Sequence, residues 1–115
     1  MQIADIRVFV PSRDYKISQR FYQAMGFNMD LAGDDLSIFN KGSCTFFLQK
    51  IFNQELANNL MLQLIVLDIQ EAFATISSIK GFDIKYQPIK TEPWGKVIYL
   101  WGPSGELWHV TELNH

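Results

Sequence analysis

The same order of elements occurs twice along this chain, and that repetition limits its possible folds more than any single motif does. The first half opens with IADIRVFVP. There Ile6, Val8 and Val10 fall on one face, while Asp5, Arg7 and Phe9 fall on the other. A period of two marks a strand, which Pro11 and Ser12 end. In YKISQRFYQAMG the apolar residues Ile17, Phe21, Ala24 and Met25 take helical spacing, with Gly26 placed for a left-handed C-terminal cap. Three short strand candidates follow, FNMDLA, LSIFN and CTFFLQK, parted by the turn signals Gly33-Asp34-Asp35 and Asn40-Lys41-Gly42.

After a polar break, IFNQELANN, the order begins again. LMLQLIVL reads as a strand. Asp68, with Glu71 three residues on, opens a helix that carries Ile69, Ala72, Phe73, Ile76 and Ile79 on one face, and Gly81 is placed to cap it. FDIKYQPI, KVIYLW and ELWHVTEL complete the second set, with turns at 92–95 and 102–105. The chain thus divides into module one (about 1–50), a connector (about 51–59) and module two (about 60–115) of a single domain. The expected fold class is α+β: two βαβββ modules that pair curved sheets around a concave cavity. A four-stranded sheet cannot cover both its faces alone, so the expectation puts the helices outside and the cavity between the sheets.

Composition narrows the function classes. Charged residues are 19% and the net charge is −2, so clustered Lys and Arg for phosphate contacts are missing and a nucleic-acid partner is not expected. No apolar run reaches a membrane span and no secretory segment opens the chain, so the expected location is cytoplasmic, with no membrane partner. The one cysteine, Cys44, excludes an internal disulfide and reads as a buried, inert thiol. Aromatics at 14% exceed what a small core requires and supply candidates for a pocket wall.

Several segments resemble a known superfamily. PSRDYKISQRFYQAMGF is similar to the helix signature of the vicinal oxygen chelate proteins, KGSCTFFLQ to the end of their first module, and PWGKVIYLWGPSGELWHV to the closing segment of the bleomycin-resistance-like branch. That superfamily includes glyoxalase I, extradiol dioxygenases and metal-free antibiotic-binding proteins, so the resemblance implies the fold and leaves the function to the site.

In metal-dependent members four strand positions face the cavity. The resemblance carries these onto Asp5, Gln49, Met61 and His109. Hard divalent cations take oxygen and imidazole ligands, whereas the Met61 thioether is soft, so no metal cofactor is favoured. The remaining histidine, His115, is the last residue and is expected to fray. Alternation also names the cavity wall. The residues expected to touch a ligand are Arg7, Phe9, Phe47, Gln63, Trp94, Tyr99, Trp101 and His109. Ile6, Val8, Val10, Phe46, Leu48, Leu62, Leu64, Val66, Trp108 and Val110 are expected under the helices. Asp5 and Arg7 are placed to form an ion pair, and Ser104 lacks the setting of a nucleophile.

Two functions from different classes follow. The first is a metal-independent binding protein, resembling the bleomycin-resistance proteins, that sequesters a hydrophobic or aromatic compound, with an antibiotic as one such ligand. The alternative is a metal-dependent lyase, isomerase or dioxygenase with altered ligands, and a fold kept only for dimerisation is a third. No catalytic residue is singled out. A homodimer is the expected state, because the superfamily commonly lines its cavities across subunits.

Overall fold

The structure, a computed structural model, describes residues 1–114. His115, whose fraying was expected, lies outside the described residues. Module one comprises β1 (Phe9–Pro11), α1 (Tyr15–Ala24), β2 (Asn28–Leu31), β3 (Leu36–Lys41) and β4 (Cys44–Gln49). Its four-stranded sheet has the order β1-β4-β3-β2, with β1 parallel to β4. The connector contains a short helix, α2 (Gln54–Asn59), which the sequence reading missed; Asn53 caps it by accepting from the Leu56 N–H.

Module two runs β5 (Met61–Ile65), α3 (Ile69–Ser78), β6 (Lys85–Tyr86), β7 (Lys90–Glu92), β8 (Gly95–Trp101) and β9 (Leu107–Leu113). The order is β5-β9-β8-β6, with β7 also on β8. Of the expected strand over FDIKYQPI only Lys85–Tyr86 forms, as β6, and β7 follows beyond its end. Both pair with the same edge of β8, and Pro88, which has no N–H to donate, lies in the gap. The repeated βαβββ order therefore holds, with one strand of the second copy in two pieces.

Local sequence explains the helix ends. Asp14 caps α1 by accepting from the Ile17 N–H, and Gly26 turns the chain at φ 105°. There the Gly26 N–H donates to the Gln23 carbonyl and the Phe27 N–H to the Tyr22 carbonyl, the paired bonds of a Schellman cap. Asp68 opens α3 by accepting from the Gln70 and Glu71 N–H groups. At the other end the expectation fails. Ile79 already leaves the helix in extended conformation, so Gly81, although left-handed at φ 84°, stands beyond the cap.

The core is one cluster shared by both modules. It joins Val10, Phe21, Tyr22, Phe39, Phe46 and Leu48 to Ile69, Ile76, Ile98, Leu100, Trp108 and Val110. Phe46 of one sheet meets Trp108 of the other at 5.3 Å between ring centroids, and Phe21 of α1 meets Phe82 of module two at 5.8 Å. The helices therefore lie in the seam between modules, with the sheet faces that carry Phe39, Phe46 and Leu48 on one side and Ile98, Leu100, Trp108 and Val110 on the other. This corrects the expectation of helices outside: the faces turned from this core are those that carry Phe9, Phe47 and Ile38 on sheet one and Tyr99 and His109 on sheet two. The reason is volume, since the large apolar residues of both sheets and both helices bury most surface in a single core.

A buried polar link crosses the seam. The Tyr22 hydroxyl donates to Glu106 Oε2 at 2.6 Å and accepts from Trp108 Nε1 at 3.0 Å, and the Ser104 N–H donates to Glu106 Oε1 at 2.9 Å. Ser104 Oγ in turn accepts from the Arg13 N–H of module one at 2.8 Å. Gly102 makes room for this carboxylate: a Cβ there would lie 2.7 Å from it.

Two expectations about burial fail at the start of module one. Ile6 is 82% exposed, and Val8 is also exposed. Residues 1–8 do not continue β1, although the Val8 carbonyl still accepts from the Phe47 N–H. Cys44 is exposed rather than buried. It shares the core parity of Phe46 but sits at the first position of β4, beside the Gly42-Ser43 turn.

Candidate functional site

Strand register shows what each outward face presents, because directly paired residues share a face. On sheet two, Met61, Leu107, Trp101 and Lys85 form one row across β5, β9, β8 and β6. Gln63, His109 and Tyr99 form the next, and Ile65, Thr111, Val97 and Lys90 the third, in which Thr111 and Val97 are fully buried. On sheet one, Phe9, Phe47 and Ile38 form a row, flanked by Gln49 with Leu36 and by Thr45 with Asn40. Phe9 and Phe47 on sheet one, and Gln63, Tyr99, Trp101 and His109 on sheet two, thus share the faces turned from the core.

The middle row of sheet two carries the polar chemistry. The Tyr99 ring packs edge-on against the His109 imidazole, with centroids 4.9 Å apart, and its hydroxyl donates to Glu92 Oε1 at 3.3 Å. Lys90 Nζ is 3.2 Å from the same carboxylate oxygen. His109 Nε2 is buried and has no hydrogen-bond partner among the described residues. In the row above, Lys85 Nζ stands 4.8 Å from the centre of the Trp101 ring. Sequence reasoning missed Lys85, Lys90 and Glu92, which only the pairing of β6 and β7 with β8 brings here.

On sheet one, Phe9 and Phe47 pack with centroids 4.8 Å apart, and the Arg7 guanidinium lies 5.7 Å from the Phe47 ring. Arg7 Nε donates to Asp5 Oδ2 at 3.1 Å, the expected ion pair, on the exposed leading segment. The Arg7 hydrogen bond, helped by the Ile6 N–H, holds the Asp5 carboxyl below its ordinary range. Trp94 is half exposed in the turn between β7 and β8.

The four positions compared with a metal site do not converge within the chain. Parallel pairing sets Pro11 beside Gln49, so Asp5 lies six residues, or about 20 Å of extended chain, from that level. Met61 pairs with Leu107 rather than His109. Among the described residues, no three His, Cys, Asp or Glu side chains cluster. The donors fit a hard cation poorly: Asp5 is committed to Arg7 and Ile6, and Met61 offers sulfur. His109 alone offers a free ring nitrogen.

A depression of about 700 Å³ lies elsewhere, at the seam beside Gly26–Phe27, Gly42–Cys44 and Leu64–Asp68. None of the residues expected to touch a ligand lines it.

These paired modules define the fold of the glyoxalase and bleomycin-resistance proteins. One similar solved structure is a bleomycin-binding protein from Streptomyces verticillus complexed with copper(II)-bleomycin. It is 16% identical over 99% of each chain, with a TM-score of 0.83. An antibiotic-binding protein from a Streptomyces species is 20% identical over 99% of each chain, at 0.82. A lactoylglutathione lyase from Agrobacterium tumefaciens is 16% identical, over 97% of this chain and 95% of its own, at 0.73. No protein-family model and no curated protein matches the sequence. Among the described residues, no helix is long and apolar enough to cross a membrane.

Proposed function

We propose that this chain binds a hydrophobic or aromatic small molecule on its outward faces without a metal, as a sequestering protein rather than an enzyme. The carrying observation is a partly exposed outward surface: Phe9 and Phe47 on one sheet, and the rows through Trp101, Tyr99 and His109 on the other. Such mixed aromatic and polar walls suit ligands that need a few fixed polar contacts. The likeness to bleomycin-binding and antibiotic-binding structures supports an antibiotic as one ligand class, and the poor donor set supports independence from metal. Cytoplasmic sequestration fits the same reading.

Each face is open on its own, so we further propose that a second copy completes the pocket. Phe9, Met61 and Ile65 are 46%, 66% and 49% exposed, a large apolar surface for a lone chain. Covering one face with that of a partner would turn two walls into a crevice. Sedimentation equilibrium should give a dimer, and a monomer at high micromolar concentration would refute this part. A thermal-shift screen of antibiotics and aromatic metabolites, run in chelator, tests the binding. A ligand at about a hundredfold its Kd should stabilise the fold by about 2.7 kcal/mol. A flat response to the whole set would refute the proposal, as would stoichiometric metal lost together with binding on chelation.

A further inference from the structure

We infer that the outward face of module two selects planar aromatic anions, with Trp101 as the stacking surface and Lys85 as the charge partner. The inference rests on the proposed small-molecule function and specifies the ligand class. Register sets Met61, Leu107, Trp101 and Lys85 side by side on one face. With strands about 4.8 Å apart, Leu107 to Lys85 spans about 10 Å, the scale of a two-ring aromatic acid.

The charges on this face are unequal. Lys90 is neutralised by Glu92, whose carboxylate also accepts from the Tyr99 hydroxyl. Lys85 has no carboxylate within ion-pair distance among the described residues, and its ammonium lies over the Trp101 ring instead, so a stacking ligand takes that ring face by drawing the flexible lysine onto its own carboxylate. The row is therefore apolar at the Met61 end and cationic at the Lys85 end. A neutral ring bearing a carboxylate satisfies both ends. A cationic ligand would place like charges together at the only polar end of the row, and Glu92 is already occupied by two donors.

The test titrates the full-length protein with 2-naphthoate, 2-naphthylmethanol and 2-naphthylmethylamine. Tryptophan indole N–H signals are followed by nuclear magnetic resonance. The Trp101 signal should move while that of the buried Trp108 stays fixed. Naphthoate should bind roughly tenfold more tightly than the amine, with the alcohol between them. Lys85→Gln should weaken naphthoate by roughly three- to fivefold, leave the alcohol unchanged, and remove most of the discrimination. Amine binding equal to or tighter than naphthoate would overturn the inference while leaving small-molecule binding intact. An unchanged preference in the Lys85→Gln protein would also overturn it. If none of the three compounds moves Trp101, the binding reading of this face fails and takes the inference with it.

Discussion

Removing one oxygen should test what locks the modules together. In Tyr22→Phe the ring stays in its aromatic cluster, but Glu106 Oε2 loses a donor and Trp108 Nε1 loses its acceptor. Glu106 is fully buried and Trp108 is 4% exposed, so water cannot readily replace either bond. A stranded buried polar group costs about 1–3 kcal/mol, so two give about 2–5 kcal/mol after partial relaxation. With an unfolding entropy of about 2.1 cal/mol/K per residue, 1 kcal/mol corresponds to about 4 °C for 115 residues. Tm should therefore fall by about 8–20 °C. Circular dichroism melts read this directly. A fall of less than about 2 °C would refute the claim that this link holds the seam.

The same network fixes a pH dependence. Burial pushes the Glu106 carboxyl above its ordinary range, against the opposing hydrogen bonds from Tyr22 and Ser104. A group raised on folding gives stability that is full below its unfolded pKa and is lost as pH rises through the folded one. The protein should thus lose part of its stability between the ordinary carboxyl range and the higher folded value of Glu106. Glu106→Gln should flatten that slope. Tyr22→Phe should shift it to higher pH, because a bond that favours the carboxylate is gone. Denaturant melts over mildly acid to neutral pH measure both, and an unchanged slope in Glu106→Gln would assign the dependence elsewhere.

Further outcomes follow from other contacts. Gly102→Ala should destabilise the fold by about 1–3 kcal/mol, since its Cβ would press on the Glu106 carboxylate; a melt within error of the parent would contradict that contact. Trp108→Ala should cost about 3–5 kcal/mol, because its ring packs on both Tyr22 and Phe46; denaturant unfolding checks it. Phe9→Ala, by contrast, changes a half-exposed ring. It should lower ligand affinity at least several-fold in a binding titration while shifting stability by less than about 1 kcal/mol. Iodoacetamide should label Cys44 in the folded protein at a rate close to that of an unfolded control, as its exposure requires.

Alternation made the two sheet faces legible, from Phe46 and Leu48 against Phe47 and Gln49 through Trp108 and Val110 against His109. It did not show which face the modules share, because period two separates faces without saying what covers them. It also failed at Ile6 and Val8, whose pattern fits a strand but whose backbone lacks a ladder beyond Val8. Glu106 carried a usable signal: it has the parity of Trp108 and Val110, so a carboxylate was due on the core face. Lys85 and Glu92 carried none, since their neighbours depend on how the broken edge strand docks on β8.

The central claim is that the outward faces, completed by a second copy, take a small molecule without metal. The most direct test is a chemical-shift map of a hit from the thermal-shift screen, recorded in chelator. The account predicts that Phe9, Phe47, Gln63, Tyr99, Trp101 and His109 respond together while Phe46 and Trp108 do not. A response confined to the seam depression around Gly26, Cys44 and Asp68, or one that appears only when a divalent metal is added, would contradict it.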